Sequence, residues 1–467
     1  MVFSSAIFLF AFLPAVCILY HIIPGLRAKN LLLIAASLIF YGAGNISYIP
    51  LLLISVLINS IGGTLVTGRH AKPALVITLI LNLGILAVFK YLGFFAENLN
   101  LLPGVCLTVP QIALPIGISF FTFQGMSYVI DVYREPELSS KNFFHVLLYI
   151  SFFPQLVAGP IVKYKDISEM IISRSCTAED TAKGIRRFII GLSKKLLIAD
   201  AMDTVVSAVY GMSAVQLDAR LAWFAVIAYS LQIYFDFSGY SDMAIGLGRM
   251  FGFKFKENFD HPFASSSIKQ FWRKWHISLS SWFRDYLYIP LGGNRKGKIR
   301  TYVNKLTVFF LTGLWHGANW TFVLWGLWHG AFLIAEDSGV IPVKKLGKRT
   351  KWLGHVYTML VVVLGFALFR ADSVSAAGTV FAALANFKFT ALSSASLASV
   401  IDTYSICVFI LGCVLSLPVV NAIKSRLNDK TAKAAKMLSY PAVMLLFVID
   451  IVHLAAASYV PFIYFQF

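Results

Sequence analysis

Three histidines are placed to move a proton inside an otherwise apolar chain: His276, His316 and His329. A neutral imidazole is the side chain best suited to accept a proton near neutral pH. His316 and His329 lie in GLWHGANWTFVLWGLWHG, Gly313 to Gly330, where the hexapeptide GLWHGA starts at Gly313 and again at Gly326. An apolar run beginning near Tyr302 reaches His316 after 14 residues. That is about 21 Å of helix, well inside a bilayer. Ionisable groups at such depth are rare and point either to function or to a buried hydrogen bond between helices. Burial disfavours charge, so His316 is expected to be a neutral and competent base. Gly313 and Gly317 remove side chains beside it and invite close approach of backbone or substrate.

The second copy does not repeat the geometry of the first. His329 follows His316 by 13 residues. On one unbroken helix the two rings would point about 140° apart. On a hairpin bent near Asn319, His329 would instead descend from the bend toward the cytoplasm. Neither arrangement joins both rings in one reaction centre, so His329 is expected in a supporting or pathway role.

His276 belongs to SIKQFWRKWHISLSSWFRDYLYIPLGG, Ser267 to Gly293. As one helix this segment would carry Trp275, Leu279, Trp282 and Tyr286 on a single face. Its mixture of aromatic and basic residues suits an interfacial anchor. The neighbouring charges of Arg273 and Lys274 would keep the His276 imidazole neutral.

These groups must be positioned by membrane helices. The chain is 58% hydrophobic and 13% charged, against roughly 25% charged in soluble domains. Apolar runs of about 20 residues recur throughout, each long enough to cross a bilayer. They lack the alternation of a β-barrel strand. The net charge of +18 sits in segments between the runs, which fits orientation by cytoplasmic charge and contact with anionic lipid rather than nucleic acid. Cys17, Cys106, Cys176, Cys407 and Cys413 lack CxxC spacing, so neither a disulfide framework nor a metal site is expected. The N-terminus has no basic n-region and its first basic residue is Arg27. It therefore reads as a first span with the terminus outside, not a signal peptide.

Counting onward predicts about twelve crossings in a single domain over residues 1–467, with both termini outside. Residues 143–160 break at Pro154, Gly159 and Pro160 and precede a basic stretch, which predicts a re-entrant segment. Residues 249–305 are expected on the cytoplasmic side.

Three segments in this order, QIYFDFSGYSDMAIGLGRMFGF (Gln232 to Phe253), FWRKWHISLSSWFRDYLYIPLGG and GLWHGANWTFVLWGLWHG, resemble the membrane-bound O-acyltransferase family, with its bacterial alginate O-acetyltransferase branch the nearest match. FFPQLVAGPIVKY and the tail FIYFQF, residues 462–467, extend the likeness over nearly the whole chain. The resemblance implies an all-α ring of 11–12 tilted helices around a tunnel. It also implies transfer of an acyl group, here acetyl, from a cytoplasmic thioester (acetyl-CoA or an acyl carrier protein) to a hydroxyl acceptor. No bound cofactor or metal is implied. The family's essential buried histidine maps onto His316 and its upstream histidine onto His276. Trp315, Trp320, Trp325, His329, Asn319, Asp236 and Tyr240 are expected to line or support the tunnel. Tyr464 in the extracytoplasmic tail is a candidate acyl relay toward an SGNH-type partner transferase at the outer face of a bacterial inner membrane.

Two other classes stay open. A transporter of lipid-linked precursors would also use buried histidines and broken helices, but no repeat of whole helix bundles is visible. An intramembrane hydrolase would be expected to add a GxSxG or HExxH motif, and none occurs. The acceptor polymer is not legible: alginate, cellulose and peptidoglycan fit equally.

Overall fold

The long apolar runs fold as helices because backbone N–H and C=O groups in lipid must be satisfied within each segment. A computed structural model describes residues 1–109, 112–347, 349–456 and 461–462, and no strand occurs among the described residues. The chain is an all-α, polytopic integral membrane protein. Contacts divide it into two compact units, residues 1–189 with 240–257, and residues 190–239 with 258–467.

The N-terminal part carries α1 (Leu13–Ile22), α2 (Leu26–Gly42), α3 (Ile49–Leu65), α4 (Ala71–Leu86), α5 (Leu92–Leu99), α6 (Ile118–Arg134), α7 (Phe143–Ser151), α8 (Phe153–Leu156) and α9 (Tyr164–Ile172). Next come α10 (Ala178–Ser193), α11 (Asp200–Tyr210) and α12 (Ala219–Met250). The remainder comprises α13 (Ile268–Lys274), α14 (Ile277–Phe283), α15 (Gly297–His316), α16 (Trp320–Ser338), α17 (Lys351–Arg370), α18 (Val374–Leu384), α19 (Ala391–Val400), α20 (Thr403–Leu415), α21 (Val419–Lys424) and α22 (Asp429–Ala456).

Among the described residues, five helices are long and apolar enough to cross a membrane, or six if the bent pair α19–α20 is one span. Some of the other expected crossings are shorter, and the hairpin α15–α16 is long enough but not counted on composition. The first run forms a π-helical turn, Phe8–Phe12, that continues into α1, a helix shorter than a full span. The run near 188–210 is interrupted by a π-helical segment, Lys194–Ala199.

In the first unit, α3 and α4 are joined by a reciprocal amide pair. Asn59 Nδ2 donates to Asn82 Oδ1 at 2.9 Å, and Asn82 Nδ2 donates to Asn59 Oδ1 at 3.0 Å. Such bonds hold helices where lipid supplies no hydrophobic drive between them. The expected break falls after Ser151. Its backbone is buried and satisfied by protein groups: Phe153 N donates to Ser37 Oγ at 3.0 Å, and Tyr149 OH donates to the Val162 carbonyl at 2.8 Å. Non-helical backbone at depth requires such partners.

In the second unit, α15 and α16 form the expected hairpin. Their backbones approach so closely that a β-carbon at Gly313 would overlap the Phe322 carbonyl. One at Gly326 would overlap the Phe309 carbonyl and come within 3.2 Å of Gly313 N. The first glycine of each GLWHGA copy thus serves the same seam from opposite sides. A neighbouring helix, not a substrate, occupies the space these glycines leave. Gly313→Ala and Gly326→Ala are each expected to destabilise the protein by ~1–3 kcal/mol through overpacking. Gly378→Ala on α18, where a β-carbon meets open space, should be neutral or mildly stabilising. Thermal unfolding in detergent measures all three.

Candidate active site

The chain segment that carries His276 is anchored at its start. Ser267 Oγ accepts from Gln270 N at 3.0 Å, an N-cap for α13. The buried Glu336 carboxylate on α16 accepts from Ile268 N and Lys269 N at 2.5 and 3.1 Å. Seven residues later α13 ends, and His276 adopts φ 44°, ψ 54° before α14 begins. The left-handed region is uncommon for a residue with a side chain, though histidine is among those enriched there. The expected single helix is therefore two short ones with a turn at the histidine. Trp275, Leu279, Trp282 and Tyr286 are all buried within the protein. This corrects the reading of that face as an interfacial anchor.

The turn directs the His276 ring inward. It is fully buried and lies edge-on to Phe237 at 4.6 Å between centroids. Its Nδ1 is 3.2 Å from Asn258 Oδ1. Burial holds its pKa down, to about 3. The cause is desolvation rather than the charges of Arg273 and Lys274, so the expected neutrality stands on different physics.

His316 is the last residue of α15. With α15 starting at Gly297, it sits about 30 Å along the helix rather than about 21 Å. Asn319 forms the bend, its Oδ1 accepting from Thr321 N at 3.0 Å and its Nδ2 donating to the Asp372 carbonyl at 2.9 Å. The buried His316 ring is enclosed by Trp315, Trp325 and Phe369, with centroids 5.0, 5.1 and 5.2 Å away. The His276 and His316 centroids are 6.3 Å apart at 61°.

His329 is held apart from this pair. It packs against Trp272 at 5.2 Å and Trp325 at 5.3 Å, and stacks on Phe271 at 6.2 Å. Trp325 thus contacts both hairpin histidines. Gly365 on α17 leaves room for the ring, since a β-carbon there would come within 2.9 Å of His329 Nε2. Trp320 is 51% exposed. Asp236 pairs with Lys195 at 3.0 Å, and Lys195 also pairs with Asp200 at 2.6 Å. Tyr240 belongs to the first unit, where it stacks on Phe3 at 4.7 Å. Tyr464 lies outside the described residues. Phe462 is described and buried, 6.2 Å from the Phe237 ring that covers His276.

A cavity of about 750 Å³ opens among α13, α14, α15 and α16. Trp272, Phe309 and Thr312 line its apolar part. Thr312 is one helical turn before His316. Lys269, Arg273, Arg284, Lys298 and Lys305 make it basic. Asp337 also lines it and pairs with Lys305 and, at 3.3 Å, with Lys269.

Residues 118–374 match the model of the MBOAT, membrane-bound O-acyltransferase family. The chain belongs to the membrane-bound O-acyltransferase family. It is 38% identical over 504 residues to a probable alginate O-acetylase of Azotobacter vinelandii, with both chains covered in full. It is 40% identical to the probable alginate O-acetylase of Pseudomonas aeruginosa, over 83% of this chain and 75% of that one. A peptidoglycan O-acetyltransferase of Helicobacter pylori is 35% identical, over 81% and 78%.

Membership in the membrane-bound O-acyltransferase family carries the family's general activity, acyl transfer by an integral membrane enzyme, and its general use of acyl thioester donors. Among the described residues no group of three or more histidine, cysteine or carboxylate side chains is placed to hold a metal ion. Sequence reasoning missed the contributions of Asn258, Phe237 and Phe369. They come from three separated segments and share no motif or spacing with the histidines.

Burial of His276 has a measurable consequence. The unfolded chain binds a proton at this site below its ordinary pKa of 6.5, whereas the folded chain does not until about 3. The contribution to stability is therefore complete above 6.5 and declines as pH falls from 6.5 toward 3. Unfolding midpoints of the wild type should drop between pH 7 and pH 5, and His276→Gln should flatten that slope.

Proposed function

We propose that this protein is an O-acetyltransferase of a bacterial cytoplasmic membrane that takes acetyl from a cytoplasmic thioester and delivers it for O-acetylation of an extracytoplasmic polysaccharide. The observation that carries the reading is the approach of His276 and His316 to 6.3 Å within a buried aromatic enclosure, in a chain of this family.

The thioester carbonyl is already activated, so the missing element is deprotonation of the attacking hydroxyl. His316 takes that proton as the hydroxyl oxygen bonds to the carbonyl carbon. The carbon–sulfur bond then breaks, and the proton passes to the departing thiolate. His276 orients the donor side. Trp315, Trp325 and Phe369 exclude water, which would otherwise hydrolyse the donor. The basic cavity fits the phosphates of acetyl-CoA or of an acyl carrier protein's prosthetic arm. Its apolar part fits the thioester end, one turn from His316.

In this reading both termini face outside, and the aromatic tail enters the outer mouth. Tyr464 accepts the acetyl group there and passes it to an SGNH-type partner transferase. The packing of Phe462 on Phe237 supports entry of the tail toward the histidine pair. The relatives' names, alginate O-acetylase and peptidoglycan O-acetyltransferase, support an extracytoplasmic polymer as final acceptor.

Purified protein given labelled acetyl-CoA should form a labelled ester, which a transporter would not do. His316→Ala should reduce transfer at least ~10²-fold with protein levels intact; undiminished transfer would remove His316 as the base. Tyr464→Phe keeps the aromatic surface and should abolish polymer acetylation in cells. Full polymer acetylation by that variant would dispose of the relay.

A further inference from the structure

The segment that follows α12 is tied to the turn between α13 and α14. The Asn258 carbonyl accepts from Ile277 N at 2.9 Å, and Asp260 N donates to the Lys274 carbonyl at 3.0 Å. These bonds bring the buried Asn258 side chain beneath His276. Its Oδ1 is 3.1 Å from Ser278 N, 2.8 Å from Ser278 Oγ and 3.2 Å from His276 Nδ1.

This geometry determines which imidazole nitrogen is protonated. A backbone N–H can only donate, so the Asn258 atom facing Ser278 N must be the carbonyl oxygen and not the amide nitrogen. A carbonyl oxygen can only accept, so the histidine nitrogen beside it carries the hydrogen. Ser278 Oγ, 3.4 Å from the same nitrogen, directs its own hydrogen to Asn258 and leaves lone pairs toward the ring. The left-handed backbone at His276 fixes the ring's approach to this acceptor.

We infer that Asn258 is a positioning residue that holds His276 as the Nδ1–H tautomer, so that Nε2 is its proton-accepting nitrogen. The inference rests on the reading in which His276 takes part in acyl transfer. Its purpose follows from the chemistry: an imidazole that switched tautomers would present a donor where an acceptor is required, and conversely. The groups packed around the ring are Phe237 from α12, Phe259 from the tied segment, Ser278 from α14, and Trp315 and His316 from α15. His316 is the titratable one among them.

The test is nitrogen NMR of the full-length protein in lipid nanodiscs with labelled histidine. The signals lost in His276→Gln identify the ring, and they should report a protonated Nδ1 and an unprotonated Nε2. Asn258→Leu should lose that preference and lower kcat by ~10–10²-fold with little change in donor KM. Asn258→Asp keeps every acceptor bond and adds negative charge. It should retain activity while its acidic limb moves upward by about one pH unit or more, a shift that a purely structural role would not produce. A protonated Nε2 in the wild type overturns the inference, as does an Asn258→Asp pH profile superimposable on wild type. Full transfer by His276→Gln would instead remove His276 from the proposed reaction, while the spectrum would still decide the tautomer.

Discussion

The backbone contact between α15 and α16 governs the arrangement of the second unit. Two antiparallel helices can approach this closely only where side chains are missing from both, and Gly313 and Gly326 supply that absence. Dispersion falls off steeply with separation, so a seam of this kind holds two helices in one register. Register matters because the two histidines and Trp325 are neighbours of the glycines. With the seam closed, Trp325 of α16 lies against His316 of α15, and the same indole covers His329. A slip of one residue would turn the rings away by about 100°.

The seam also explains the repeated hexapeptide. Repetition of GLWHGA suggests two equivalent sites, but the shared letters answer a shared packing problem. Each copy brings its first glycine to the backbone contact and its second against a side chain of the facing helix. The histidines that accompany them then diverge. His316 ends its helix at the bend and meets His276, whereas His329 is in mid-helix and is walled in by Phe271, Trp272 and Trp325.

Charge is arranged around this apolar centre with similar economy. Glu336, in the last turn of α16, accepts from the first N–H groups of α13, where a carboxylate is favoured by the helix dipole. The adjacent Asp337 holds Lys269 and Lys305 in the cavity wall. Consecutive acidic residues on one helix thus serve different neighbours. Lys195, Asp200 and Asp236 form a separate buried ion-paired group that ties the π-helical segment to α12. A buried charge without such a partner would be strongly destabilising.

The sequence by itself determined the solvent, the fold class and the family. Apolar runs of membrane length, the hairpin at Asn319, a break within residues 143–160 and the separation of His329 from His316 all follow from local composition and helical geometry. Those are short-range properties, and a chain carries them in consecutive letters. The tertiary structure alone decided that His276 sits at a left-handed turn rather than on a continuous helix. It also decided that burial keeps that ring neutral, and that α12, the segment after it and α17 supply Phe237, Asn258 and Phe369. The partners of the histidines were invisible because contacts between residues far apart in sequence arise only when helices pack. No periodicity within one segment records which face of another it will meet.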